Sequence, residues 1–133
     1  MSENRRVLIV EECADSREMY AIGFHLAGFE VLAAGTISEA FGFLEVCDVD
    51  VIVCDLRLGD QSGLEIVRRL RERGRGVAYA LTGAPDERSR ADAVGAGCAD
   101  VLLKPVPPDE LIARIASSHH DRLAASRDSG PLS

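Results

Sequence analysis

The sequence predicts an α/β fold, a doubly wound five-stranded parallel sheet with helices on both faces. Five short apolar runs alternate with five longer segments of helical period along the 133 residues, the pattern of repeated β-α units. The third run, "VDVIVC", is apolar at nearly every position, as a strand covered on both faces must be. Each helix-length crossover returns the chain to the same side of the twist, which makes the strands parallel and puts helices on both faces.

Arg6–Val10, "RVLIV", reads as the first strand. The spacing then predicts a helix over Asp15–Gly28, with Met19, Ile22 and Leu26 on one face and Gly28 stopping it. "FEVLAA" is the second strand. Ser38 caps a helix running to Cys47 through Ala40, Phe41 and Leu44. After the third strand, Ser62–Arg73 is a helix using Leu64, Val67 and Leu70, closed by Gly74. "GVAYALT" is the fourth strand. Pro85–Val94 is a helix that opens on a proline and acids and ends at Gly95-Ala96-Gly97. "ADVLL" is the fifth strand, and Pro108–Ala125 the last helix, carrying Leu111, Ile112, Ile115 and Leu123. Residues 1–125 are expected to form one domain, and the aperiodic "SRDSGPLS" at 126–133 is expected to be a disordered polar tail.

Composition narrows the function. Apolar residues make up 47% and charged residues 28%, which suits a globular chain rather than a disordered one. No apolar run is long enough to cross a bilayer, and "MSENRR" leads directly into a strand without a leader's apolar region, so a cytoplasmic location without membrane association is expected. A net charge of −7 repels phosphate backbones, so direct nucleic-acid binding is not expected. The exception, "RRLRERGR" at 68–75, reads as a solvated helix face with cations at its C-terminal end. Cysteines 13, 47, 54 and 98 form no CxxC pair and are expected to be buried, reduced thiols. His119-His120 read as surface helix residues.

One stretch conflicts with its surroundings. "VIVCDLRLGD" carries strand-forming residues that end on Asp55, although Asp is poorly suited to strands and seldom buried without a partner. In open parallel sheets the ligand site lies beyond the carboxyl ends of the strands. There the sequence sets Glu11 and Glu12 after strand one, Asp55 after strand three, Thr82 after strand four and Lys104 after strand five. Two carboxylates about 4 Å apart repel by roughly 4 kcal/mol at an effective dielectric near 20. A hard cation relieves that repulsion, and Mg²⁺ suits it because it accepts few protein ligands and keeps its waters. Lys104 would offset further anionic charge, the Thr82 hydroxyl could donate to a phosphoryl oxygen, and Asp55 could act as nucleophile.

These residues and the motifs "VLIVEECADSR", "VIVCDLRLGDQSGLE", "ALTGA" and "AGCADVLLKP" resemble the receiver domain of two-component response regulators, from about Arg5 to Ser118. The resemblance implies the flavodoxin-like strand order 2-1-3-4-5. It implies phosphorylation on Asp55, Mg²⁺ held by Glu11, Glu12, Asp55 and the backbone carbonyl of Arg57, a switch hydroxyl on Thr82 and a phosphate contact from Lys104. It also implies a cis Lys104–Pro105 bond. The partners would be a sensor histidine kinase or phosphotransfer protein, a downstream effector protein and a second copy of the chain.

Three positions depart from the family's pattern. Both acids are Glu where one or both are usually Asp. Val101 stands where an aromatic ring usually precedes the lysine, and Gly59 where proline is common. The first two also suit a rival reading, a degenerate receiver that binds proteins without being phosphorylated. A dehalogenase-type phosphohydrolase would need a second Asp two residues after the nucleophile, where this chain has Arg57. A dinucleotide-binding module would need GxGxxG after strand one. The side chain of Arg57 stands at the mouth of the expected site, where it could admit or hinder an attacking water.

Overall fold

The computed structural model describes residues 5–58, 61–83 and 87–117. The apolar runs become β1 (Arg6–Val10), β2 (Glu30–Ala34), β3 (Val51–Asp55), β6 (Val77–Thr82) and β7 (Asp100–Leu103), with β4 (Arg57–Leu58) and β5 (Gln61–Ser62) as a small extra pair. The helices are α1 (Ala14–Leu26), α2 (Ile37–Val46), α3 (Leu64–Glu72), α4 (Glu87–Ala96) and α5, described over 108–117. All pairings in the main sheet are parallel, in the order β2-β1-β3-β6-β7. Once β4 and β5 are set aside, this is the expected 2-1-3-4-5. The β4–β5 pair, antiparallel between Arg57↔Ser62 and Leu58↔Gln61, has no apolar alternation long enough to foretell it.

Strand alternation divides the core in two. Leu8, Val10, Ile52, Cys54, Ala78 and Ala80 face a layer that includes Leu44, Ile66, Val67 and Leu70 of α2 and α3. Val7, Ile9, Val51, Val53, Tyr79 and Leu81 face Tyr20, Phe24, Leu111 and Ile115 of α1 and α5. Every residue of β3 is buried, which accounts for its unbroken apolar sequence.

Several expectations need correction. In α1 the expected inward face, Met19, Ile22 and Leu26, is exposed, and Tyr20 and Phe24 are buried instead. Both sets have helical spacing, but the aromatic pair brings more apolar area and better partners. The Phe24 ring meets Phe29 edge-on at 5.0 Å. Gly28, at φ 99, closes the helix by donating to the His25 carbonyl while Phe29 donates to that of Phe24, a Schellman ending with its apolar contact. In α2 the cap is Thr36 rather than Ser38. Thr36 Oγ1 accepts from Glu39 N at 3.1 Å, and Glu39 Oε1 accepts from Gly35 N at 2.7 Å, a variant of the capping box. Among the cysteines, Cys54 and Cys98 are buried as expected, but Cys47 is half-buried and Cys13 exposed; all four are free.

The α3 helix starts two residues later than expected because Ser62 belongs to β5 and its Oγ accepts from Leu64 N. Its basic end is used structurally. Arg69 pairs with Glu72, and Arg73 donates to the carbonyls of Leu44 and Cys47 and pairs with Asp48. The expected start of α4 at Pro85, the loop at Gly59, His119-His120, the end of the last helix and the 126–133 tail lie outside the described residues.

Gly63, at the entrance to α3, crosses directly over the end of β3. A Cβ there would lie 2.3 Å from the Asp55 carbonyl oxygen and 2.5 Å from Cys54 Sγ, neither of them a flexible tip. Gly63→Ala is expected to lose roughly 1–3 kcal/mol, read as a lower urea midpoint at unchanged slope.

Candidate functional site

Parallel strands end together, so the residues that follow them share one rim. The chain leaves β1 at Glu11, whose N–H donates to the Ala34 carbonyl at 3.0 Å. This keeps Glu11 in the sheet's line for one more residue and buries its side chain, only 2% exposed. Glu12, the next residue, is exposed. Asp55 closes β3 and Thr82 closes β6, 9% and 8% exposed. Lys104 follows β7, its N–H donating to the Thr82 carbonyl at 2.7 Å, and the Lys104–Pro105 bond is cis.

The lysine reaches inward to the two buried acids. Its Nζ lies 2.8 Å from Asp55 Oδ2 and 3.2 Å from Glu11 Oε1. The remaining carboxylate oxygens meet backbone donors. Asp55 Oδ1 accepts from Arg57 N at 3.1 Å, an Asx-type turn, and Glu11 Oε2 accepts from Cys13 N at 3.1 Å. The two side chains are thus held by four hydrogen bonds, two of them from one cation. Asp55, Thr82 and Lys104 line one cavity of about 550 Å³, with Arg57, Ser62 and Ser89 around it.

Of the residues singled out from sequence, Glu11, Asp55 and Lys104 are in direct contact, and Thr82 shares their cavity. Glu12 stands apart as an exposed residue whose carbonyl accepts from Arg17 at 3.3 Å. Among the described residues no three Asp, Glu, His or Cys side chains gather closely enough to hold a metal ion. The two buried carboxylates, Glu11 and Asp55, are hard-oxygen donors of the kind accepted by an ion that keeps several waters.

Two contributors were not recognised from sequence. Arg17 closes the motif "VLIVEECADSR". Its NH1 donates to the carbonyl of Glu11 at 2.9 Å as well as to that of Glu12, and it lies over Gly35, where a Cβ would come within 2.6 Å of it. Holding both carbonyls outward fixes the direction of the acids between them. Ser89, with Asp92 one turn later, brings α4 to the cavity wall. Their i, i+3 spacing places them on one helix face, but a polar pair on a helix with few large apolar residues carries no distinctive signal.

Comparison with known proteins agrees with this geometry. The family model of the response regulator receiver domain matches residues 7–116. The transcriptional regulatory protein AruR of Pseudomonas aeruginosa is 30% identical over 131 residues, covering 95% of this chain and 54% of AruR. The phosphate regulon transcriptional regulatory protein PhoB of the same organism is 32% identical over 114 residues, covering 84% and 50%. The chain spans about half the length of these two relatives. Among solved structures, the BeF3-activated receiver domain of DrrB, a Thermotoga maritima protein, superposes with a TM-score of 0.77 at 25% identity, covering 89% of this chain and 99% of that one.

Titration in the fold has a definite sign. Burial alone would lower the Lys104 pKa, but the hydrogen bond to Asp55 and the charges of Asp55 and Glu11 outweigh it and raise the pKa above 10.5. Burial pushes Cys98 up from 9.0 to about 11, and Cys54 up as well, mainly through burial. A pKa raised on folding contributes stability that is full below the unfolded value and lost as pH rises through the folded one. The urea midpoint should therefore hold up to pH 9 and fall steadily toward about pH 11; a flat midpoint across that interval contradicts the assignment.

Proposed function

The chain belongs to the response regulator receiver domain family, and we propose that it acts there as a phospho-acceptor, taking a phosphoryl group onto Asp55 from the phosphohistidine of a sensor kinase or phosphotransfer protein. The observation that carries the reading is the shared Lys104 ammonium, 2.8 Å from Asp55 and 3.2 Å from Glu11, at a cavity that also receives Thr82. A carboxylate placed on a fully buried strand, beside a cation and a hydroxyl, is arranged for the charge changes of phosphoryl transfer.

In the step itself an Asp55 carboxylate oxygen forms a bond to phosphorus as the phosphorus–nitrogen bond of the donor breaks. The imidazole nitrogen leaves with the electron pair, and the ring stays with the donor as neutral imidazole because its other nitrogen carries the proton. Lys104 exchanges part of its contact with Asp55 for a phosphoryl oxygen, and the Thr82 hydroxyl donates to another. Glu11, Asp55 and the Arg57 carbonyl would hold Mg²⁺, with the exposed Glu12 acting from the rim. When bound, the ion supplies positive charge to the phosphoryl oxygens and offsets the crowding of acids. Movement of Thr82 and Lys104 toward the phosphoryl group would alter the surface presented to an effector protein or a second copy, by no more than the difference in affinity between the two states.

Incubation with a small acyl phosphate and Mg²⁺ should add one phosphoryl group by intact mass. The addition should vanish in Asp55→Asn or with a chelator, and slow by about tenfold or more in Thr82→Ala. No addition favours the degenerate, phosphorylation-independent receiver, and addition that survives Asp55→Asn contradicts Asp55 as the acceptor. The Arg57 side chain is exposed at the cavity mouth, so Arg57→Ala should change the hydrolysis rate of the acyl phosphate. Equal decay in both proteins removes that role.

A further inference from the structure

We propose that Tyr20 is a positioning residue for Lys104, acting from α1 on the backbone that follows the lysine. Tyr20 Oη donates to the carbonyl of Val106 at 2.8 Å, across 86 positions of sequence and out of contact with water. Tyr20 is 2% exposed and Val106 4%. The lysine segment is thereby fixed on both sides: its own N–H is bonded to the Thr82 carbonyl at 2.7 Å, and two residues later the chain is bonded to Tyr20. Between these two ties the ammonium reaches Glu11 and Asp55.

The helix is built to make this contact. Gly23 lies three residues after Tyr20, on the same face, and a Cβ there would come within 2.6 Å of Pro108. A glycine at that point lets α1 approach the β7–α5 connection closely enough for the hydroxyl to bond. The hydroxyl is near enough to the site to sense it. Burial is the main cause that raises the pKa of Tyr20, and the charges of Lys104, Glu11 and Asp55 all act on it. Phenylalanine would fill the same apolar space among Leu111, Ile115 and Val106. Burying a hydroxyl there gains little net stability, so its use is better placed in fixing one arrangement of the loop. Val101, buried in β7, has no polar atom to play such a part.

Tyr20→Phe removes the hydroxyl and keeps the ring. In the metal-free protein, proton exchange of the Lys104 ammonium with water, followed by ¹⁵N–¹H correlation, should speed up severalfold. Unchanged exchange accompanied only by a lower Tm overturns the proposal, because a purely structural hydroxyl would give that result. The kinetic consequence rests on the phospho-acceptor reading: phosphorylation of Asp55 by a small acyl phosphate should slow by roughly fivefold to tenfold, and a rate within about twofold of the native protein overturns it. Should the native protein take no phosphoryl group, the phospho-acceptor reading fails, and the exchange measurement still decides whether Tyr20 places Lys104.

Discussion

One ammonium group neutralises two buried acids, and most of the site follows from that. Glu11 and Asp55 come from adjacent strands and lie almost wholly out of water. Without a cation between them they would repel strongly. Lys104 reaches them from β7, two strands beyond Asp55, with Nζ 3.2 and 2.8 Å from the two carboxylates. The arrangement needs a parallel sheet whose strand ends coincide, a lysine backbone held at Thr82, and acids whose outer carbonyls are held by Arg17. The sheet supplies the first two. The contact of α1 with the loops supplies the third.

The same balance is the physical ground for proposing a divalent ion at the site. Lys104 already supplies one positive charge to two negative ones, leaving a net anionic pair of hard-oxygen carboxylates. A phosphoryl group would add negative charge at the same place, which one lysine alone does not balance. The double Glu also acquires a structural account. Glu11 is the inner acid and has backbone and lysine partners for both its oxygens, whereas Glu12 is on the outside. The two positions are therefore physically unequal, although the sequence writes them identically.

Much of this was legible before any coordinates. Five strands and the gathering of Asp55, Thr82 and Lys104 follow from apolar runs whose ends carry functional groups, because backbone pairing in a parallel sheet leaves little freedom in where those ends go. The strand order was implied by the family resemblance alone. Helix faces were less legible. Met19, Ile22 and Leu26 form as regular a stripe as Tyr20 and Phe24, and only the presence of Phe29 and the Val106 carbonyl decides which set turns inward. The Thr36 cap was hidden because Ser38 also satisfies the local rule, and it is Glu39 reaching back to Gly35 that fixes the start. Arg17 and Tyr20 were obscure for a similar reason. Both act on backbone carbonyls of other segments, and a carbonyl leaves no mark in the sequence.

The most direct test of the charge balance at this site is a Mg²⁺ titration followed by two-dimensional NMR at the amides of Glu11, Asp55 and Arg57 and at the Lys104 ammonium. The account predicts that these four signals move together and saturate as one site, with Glu11→Gln weakening the response far more than Glu12→Gln. Small, non-saturating shifts spread over exposed acids such as Glu18 and Glu110, with the ammonium signal unmoved, would contradict it.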